Sequence, residues 1–212
     1  RHKPSSKAMS PDFSYKVGGS LAAGDSSYVV RQADLDLMVA VRQRQFACVL
    51  GPRQMGKSSL RVHTREQLES AGDRCATIQA NQLIDRTDPD ASCQQQTHRL
   101  MVMLWDSLQP KVSAAEHKDR LTKLSDTANQ PVAARLHHFS QTVLEPLLRQ
   151  SPIVIFIDEI DALLHTSFAA ELFCWIEQCY QYRTEHGEVT IRQLYQNLSF
   201  VVLGSVIATG LP

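Results

Sequence analysis

Hydrophobic runs and amphipathic stretches alternate along most of the chain. Four runs, at 46–50, 74–79, 152–157 and 198–203, predict β-strands. The run at 46–50 is continuously apolar, which is typical of a strand buried on both faces. A shorter β-prone run at 28–30 precedes them.

Helices are predicted where apolar residues recur with helical spacing. Asp34 is expected to cap or open the first helix, with Leu35, Met38, Val39 and Val41 on its apolar face. Pro131 is expected in the first turn of another helix. No element is predicted for 110–130, and 185–190 is interpreted as a loop. The predicted helices cover 34–44, 57–70, 94–109, 131–150, 159–164 and 167–184.

The order of these elements indicates the fold class. The strands alternate with helices, in the order strand, helix, strand, helices, strand, helices, strand. Such alternation requires crossover connections, which produce a parallel sheet covered by helices. Right-handed crossovers then give a doubly wound, mainly parallel α/β sheet with helices on both faces.

A phosphate-binding motif follows the first predicted strand. Residues 51–58 match the Walker A pattern G-x-x-x-x-G-K-[ST] in full. Glycines let the backbone turn tightly so that its N–H groups converge on an anion, and a helix beginning near Lys57 adds its positive end. We expect Lys57 to reach the β- and γ-phosphates and Ser58 to ligate Mg²⁺. The predicted nucleotide-binding residues of the loop are Gly51, Pro52, Arg53, Gln54, Met55, Gly56, Lys57, Ser58 and Ser59.

Two acids, Asp158 and Glu159, end the most apolar strand in a Walker B pattern. Ligands of α/β sheets bind beyond the carboxyl ends of the strands, so we expect Asp158 beside the phosphate loop. A carboxylate there would hold Mg²⁺ through water, and Glu159 would activate or orient the attacking water as a catalytic base. The alternative for this segment alone is a solvated turn or a helix cap, a position that Asp favours. Asp161 is expected to stabilise the first turn of the next helix.

Composition and charge narrow the class of protein. Hydrophobic residues make up 43% of the 212 residues, as in ordinary globular domains. Lys plus Arg and Asp plus Glu both number 22, which argues against a nucleic-acid binder driven by bulk charge. No apolar run reaches the roughly 18 residues of a membrane span. The five cysteines predict reduced, mostly buried thiols and a cytoplasmic location.

Several segments together resemble a known family. Residues 17–21, 28–34 and 46–60, followed by 156–163 and 179–183, resemble the AAA-like ATPase domain of cyanobacterial multidomain proteins. That resemblance implies a P-loop NTPase of the additional-strand type and a place in the STAND class of signal-transduction ATPases, related to AAA and origin-recognition ATPases.

The resemblance also implies an adenine site before the phosphate loop. Val29, Val30 and Arg31 occupy the matching segment, with Val30 where the family has Gly and Asp34 where it has Glu. An apolar run excludes water from a purine face and an Arg can stack on it, whereas the alternative is an edge strand with a solvated Arg. Ser205, after the last strand, is the candidate for sensing the γ-phosphate.

The expected organisation has three parts. Residues 1–12 form a flexible tail, 13–45 contribute to the adenine site, and 46–212 form the ATPase core. We expect this core to be truncated before any lid. Arg183 is interpreted as a solvated helix end, with an arginine finger toward a neighbouring subunit as the alternative.

These expectations combine into one function. The chain is expected to bind ATP or ADP with Mg²⁺ and to hydrolyse ATP slowly as a signalling switch. The expected partners are an effector and WD40 or tetratricopeptide repeats in a longer chain, and a homo-oligomer formed on activation, with neither membrane nor nucleic acid. Two alternatives stay open: a DNA-associated ATPase of the origin-recognition or transposition type, and a nucleotide-binding module without turnover.

Overall fold

Four parallel strands form the central sheet of the computed structural model. The model describes residues 19–22, 25, 27–84, 93–109, 113–184 and 189–205. The strands are β1 (Ala47–Gly51), β2 (Arg74–Gln79), β3 (Ile153–Asp158) and β4 (Leu198–Ser205). All four predicted strands are confirmed, but β1 is not buried on both faces as its apolar run predicts, because Cys48 and Leu50 are exposed. The predicted tail at 1–12, the start of the segment 17–21 and the end of the core at 206–212 lie outside the described residues.

The strands are arranged in the order β1-β4-β3-β2. β4 therefore lies between β1, which precedes the phosphate loop, and β3, which ends in the acid pair. Every described pairing is parallel, so all carboxyl ends meet at one edge of the sheet. This arrangement confirms the α/β fold of the additional-strand type, and it also means that β1 and β3 are not direct neighbours.

Helices cover both faces of the sheet. α1 (Gln32–Arg42) and α2 (Lys57–Ser70) pack on one face, where Leu37, Leu60 and Phe156 belong to one buried cluster. A larger cluster fills the other face beneath the remaining helices. These are α3 (Cys93–Leu108), α4 (Ala114–Asp126), α5 (Val132–Phe139), α6 (Glu145–Leu148), α7 (Ser167–Thr184) and α8 (Val189–Tyr195). No described helix is long and apolar enough to cross a bilayer.

The predicted apolar face of α1 is half right, because Val41 is buried and Met38 packs against the core as expected, but Leu35 and Val39 do not. Leu35 and Val39 are 54% and 55% exposed, whereas Asp34, Leu37 and Val41 are buried. In this orientation the Asp34 carboxylate accepts hydrogen bonds from Tyr28 and Arg31 in the segment before the helix. Asp34 is also inside the first turn of α1 rather than at its cap.

Three local predictions fail near the strands. The run at 28–30 is not a strand. The helix expected at 159–164 is a 3₁₀ turn over Ile160–Ala162, because Glu159 takes a left-handed conformation and breaks the backbone direction. Pro131 precedes the helix at α5 instead of lying in its first turn.

Two helices were not predicted from the sequence. α4 lies in the polar stretch 110–130, and α8 begins within 185–190, where the sequence predicts a loop. The thiols are also less uniformly buried than expected. Cys75 and Cys179 are buried, but Cys48 and Cys174 are exposed.

Candidate functional site

The phosphate loop connects the end of β1 to the start of α2. Gln54 and Gly56 both take left-handed backbone conformations, with φ of 63° and 74°. The positive φ of Gly56 favours glycine, and a Cβ there would also lie 3.1 Å from Nη1 of Arg31, which would have to shift. The strand–loop–helix context that the motif requires is therefore present.

Lys57 lies at the first position of α2, and its ammonium is held over the loop. Nζ donates to the carbonyl oxygen of Gly51 at 2.8 Å and to that of Pro52 at 2.6 Å. These two bonds hold the positive charge against the backbone of the loop whose N–H groups are expected to bind an anion.

Arg31 contacts the phosphate loop from outside. Its Nη1 donates to the carbonyl oxygen of Met55 at 2.6 Å, and Nη2 lies 3.4 Å from that of Gly56. The guanidinium also pairs with Asp34, with 3.5 Å between Nε and Oδ2. Arg31 thus links the segment before α1 to the loop backbone.

The rest of this segment is tied to α2. The hydroxyl of Tyr28 donates to the Asp34 carboxylate, and the Tyr28 ring packs on the His63 ring with centroids 4.6 Å apart. The N–H of Leu21 donates to Oγ of Ser59 at 3.0 Å. The segment is therefore packed along the helix that follows the phosphate loop.

Val29 and Val30 lie in the same segment with their side chains in solvent. They are 75% and 55% exposed. They are adjacent to Arg31, which reaches the loop, so the segment borders the site. Their contact with a base stays a prediction.

Asp158 ends β3 on the face that α2 covers. Side chains alternate along a strand, so Asp158 shares its face with Val154 and Phe156, which pack in the cluster that includes Leu60 of α2. The carboxylate is almost completely buried, at 3% exposure. It is separated from β1 by β4, so it lies at the same sheet edge as the phosphate loop but not on the adjacent strand.

Sequence reasoning missed the basic partner of Asp158. Arg61, four residues after Lys57, points its Nε at Oδ2 of Asp158 at 3.1 Å. The helical period of 3.6 residues places Arg61 one turn beyond Lys57 on the same face. That spacing places Arg61 near Lys57 on α2, but only the fold reveals that it pairs with Asp158.

Glu159 projects from the turn that follows β3. It is exposed, it has a φ of 57°, and its N–H donates to Oδ1 of Asp158 at 3.0 Å. A non-glycine residue in this conformation is strained, and such strain is concentrated at functional sites. Its exposed side chain directly follows the carboxyl end of β3.

Asp161 connects the turn after β3 to the end of β4. Its Oδ1 accepts the N–H of Ser205 at 2.9 Å, and Oδ2 lies 3.9 Å from Nη2 of Arg53 in the phosphate loop. Asp161 thus joins three segments of the site, which is more than the helix-turn role expected of it. Ser205 is at the sheet edge where a γ-phosphate sensor would be needed.

Arg183 is not a solvated helix end. Its guanidinium lies over the Phe46 ring, 5.0 Å from the centroid, and donates to the carbonyl oxygen of Leu198 at 3.3 Å. Burial lowers the pKa of Arg183. Phe46 and Leu198 stand at the amino ends of their strands, so Arg183 is on the opposite edge from the phosphate loop.

Comparison with known proteins identifies relatives of this chain. The sequence profile described as AAA-like domain matches residues 17–208. An uncharacterised WD repeat-containing protein of Synechocystis is 35% identical over 191 residues, which cover 90% of this chain. The match spans 15% of the length of that relative.

A solved Walker-type ATPase shares the fold. A Walker-type ATPase of Pyrococcus abyssi matches with a TM-score of 0.53 and 15% identity, over 88% of this chain and 47% of that one. A chain from the structure of the Drosophila ORC bound to DNA has a TM-score of 0.44 and 14% identity, over 94% and 48% of the two chains.

Proposed function

Because the chain belongs to the AAA-like domain family, we propose that it binds ATP or ADP with Mg²⁺ and hydrolyses ATP slowly. The observation that carries the proposal is the phosphate loop, which has the required turn between β1 and α2 and holds the Lys57 ammonium against two of its backbone carbonyl oxygens. When nucleotide binds, the Lys57 ammonium would donate to phosphate oxygens instead of to the two loop carbonyl oxygens.

The donor set at the sheet edge fits a magnesium ion. The Ser58 hydroxyl and the Asp158 carboxylate supply oxygen ligands, which Mg²⁺ prefers. Ser58 lies in the first turn of α2, and Asp158 ends β3 on the face of the sheet that α2 covers. Mg²⁺ would neutralise charge on the phosphate oxygens when bound.

Glu159 is the proposed base. Its exposed carboxylate is next to Asp158, and its N–H fixes one oxygen of that residue. A carboxylate in this place orients a water molecule and accepts its proton during attack on the terminal phosphate. Ser205 at the end of β4 is the proposed sensor of that phosphate.

The purine base is proposed to bind against the segment before α1. Val29 and Val30 supply exposed apolar surface beside Arg31. We accordingly propose residues 13–45 as the segment that completes the adenine site and 46–212 as the ATPase core.

The proposed role is that of a switch within a longer protein. The match spans 15% of a WD repeat-containing relative, which supports further domains as partners. Homo-oligomerisation on activation is part of this proposal. All five cysteines are free, which supports a reducing compartment such as the cytoplasm.

Glu159→Gln tests the hydrolytic part of the proposal. The amide cannot accept the proton, so we expect phosphate release to fall by about 10²–10⁴-fold while ATP still binds. Glu177→Gln, an exposed position on α7, is the matched control and should turn over like the unmodified chain.

The same assay separates the alternatives. Equal turnover in Glu159→Gln and the unmodified chain would remove Glu159 from its proposed role. Nucleotide binding without any phosphate release by the unmodified chain would instead indicate a binding module.

A further inference from the structure

A buried ion pair joins the helix after the phosphate loop to the acidic strand end. Nε of Arg61 lies 3.1 Å from Oδ2 of Asp158, and the two side chains are 10% and 4% exposed. Breaking such a pair by removing one partner is costly, because the other charge stays buried without compensation. The pair is therefore a fixed part of the site.

Both ends of the pair are held by further hydrogen bonds. Nη1 of Arg61 donates to Oγ1 of Thr77 on β2 at 3.3 Å, and the other carboxylate oxygen of Asp158 accepts the N–H of Glu159 at 3.0 Å. Arg65, one turn further along α2, also donates to Thr77 at 3.3 Å and pairs with Glu69 at 2.8 Å. The guanidinium of Arg61 is thus oriented by a group other than the carboxylate.

We propose that Arg61 is a positioning residue that sets the metal affinity of Asp158. This inference rests on the proposed function, in which Asp158 holds Mg²⁺. The Arg61 guanidinium lies 3.1 Å from the Asp158 carboxylate, so its positive charge repels a divalent cation bound to that carboxylate. This repulsion is strong because both side chains are buried. Arg61 therefore keeps Mg²⁺ binding weaker than the same carboxylate would otherwise give.

The Arg61–Asp158 pair makes dissociation of Mg²⁺ from the site easier. The carboxylate has an internal partner in Arg61, so release of Mg²⁺ does not expose an uncompensated buried charge. Thr77 keeps the guanidinium in place for that exchange. In this account, Arg61 favours exchange of the metal–nucleotide product over permanent retention.

The test is a titration of Mg²⁺ into ADP-saturated protein by calorimetry, which does not depend on turnover. Arg61→Gln removes the charge and retains an amide that can donate to Asp158. We expect Mg²⁺ to bind about tenfold more tightly in this variant, equivalent to about 1.4 kcal/mol. Arg61→Lys keeps the charge and should stay within about threefold of the unmodified chain, or about 0.65 kcal/mol.

Arg65→Gln is the matched control. Its bonds go to Thr77 and Glu69, so removal of its charge should leave Mg²⁺ affinity unchanged. A thermal unfolding curve for each variant shows whether it is folded. If Arg61→Gln fails to fold, Arg61→Lys decides: tenfold tighter binding with the charge retained would overturn the proposal.

Asp158→Asn separates this inference from the proposed function. Suppose that Asp158→Asn loses Mg²⁺ binding while Arg61→Gln binds Mg²⁺ as tightly as the unmodified chain or more weakly. That result overturns only the role of Arg61. Unchanged Mg²⁺ binding in Asp158→Asn overturns the assignment of Asp158 itself.

Discussion

Asp34 is the residue that organises the segment in front of the phosphate loop. Its carboxylate accepts hydrogen bonds from the hydroxyl of Tyr28 and the N–H of Arg31. Burial alone would raise the pKa of Asp34, but the bonds from Tyr28 and Arg31 outweigh it, and the pKa is lowered. The ionised carboxylate therefore stabilises the fold and fixes Arg31 against the loop.

Asp34→Asn tests this role through its pH dependence. A group whose folded-state pKa is lowered stabilises the protein above its ordinary pKa of 3.8 and loses this effect as pH falls through the folded value. We expect the variant to be less stable at pH 7 by about 1–3 kcal/mol, with the difference shrinking as pH falls below the ordinary value.

Urea unfolding between pH 7 and pH 3 measures that difference. Asp36→Asn is the control, because Asp36 is exposed on the same helix and its change should stay within about 0.5 kcal/mol. A difference between Asp34→Asn and the unmodified chain that is constant over the pH range would contradict the account.

Which single residues the sequence could identify depends on how local their signal is. Lys57 and Ser58 belong to a fixed motif, so their place at the start of α2 was predictable. Arg61 is not part of that motif, and its partner Asp158 is distant in the chain. Only the fold brings the two together, so their ion pair could not be derived from spacing alone.

At the level of elements, the strands and long helices are predictable because the spacing of their apolar residues matches the faces that they bury. β2 and α7 have the predicted bounds. α4 was missed because its stretch is polar. Its start is marked by a capping box, in which Oγ of Ser113 accepts the N–H of Glu116 and the Glu116 carboxylate accepts the N–H of Ser113.

In the turn after β3, by contrast, the sequence predicts a helix that the structure does not contain. Residues 159–164 have a helical composition, but Glu159 is left-handed and only a 3₁₀ turn follows. Ile160 of that turn packs against Gly204 of β4, where a Cβ would lie 2.7 Å from its Cγ2. This close approach depends on the tertiary fold and has no local sequence signal.

Gly204→Ala should destabilise the protein by about 1–3 kcal/mol, because the added methyl overlaps Ile160 and Leu50 and the packed elements must move apart. Chemical unfolding measures the change. In the double variant with Ile160→Ala the overlap is relieved, so its destabilisation should be smaller than the sum of the two single changes. Additive effects would mean that the two residues do not clash.

For the whole molecule, the alternation of strands and helices predicted a parallel doubly wound sheet, and the structure confirms it. The same pattern did not fix the strand order. Because β4 lies between β1 and β3, Asp158 is not on the strand next to β1, which leads into the phosphate loop. Strand order follows from crossovers between distant segments, so it is visible in the fold and not in any one run of residues.

The central claim is that the phosphate loop holds a nucleotide through Lys57. Calorimetric titration of Mg-ATP and Mg-ADP into the chain and into Lys57→Ala tests it most directly, with Lys118→Ala, an exposed lysine on α4, as the control. We predict that the unmodified chain and Lys118→Ala bind both nucleotides and that binding by Lys57→Ala falls below detection. Unmodified affinity in Lys57→Ala, or no binding by the folded unmodified chain, would contradict the account.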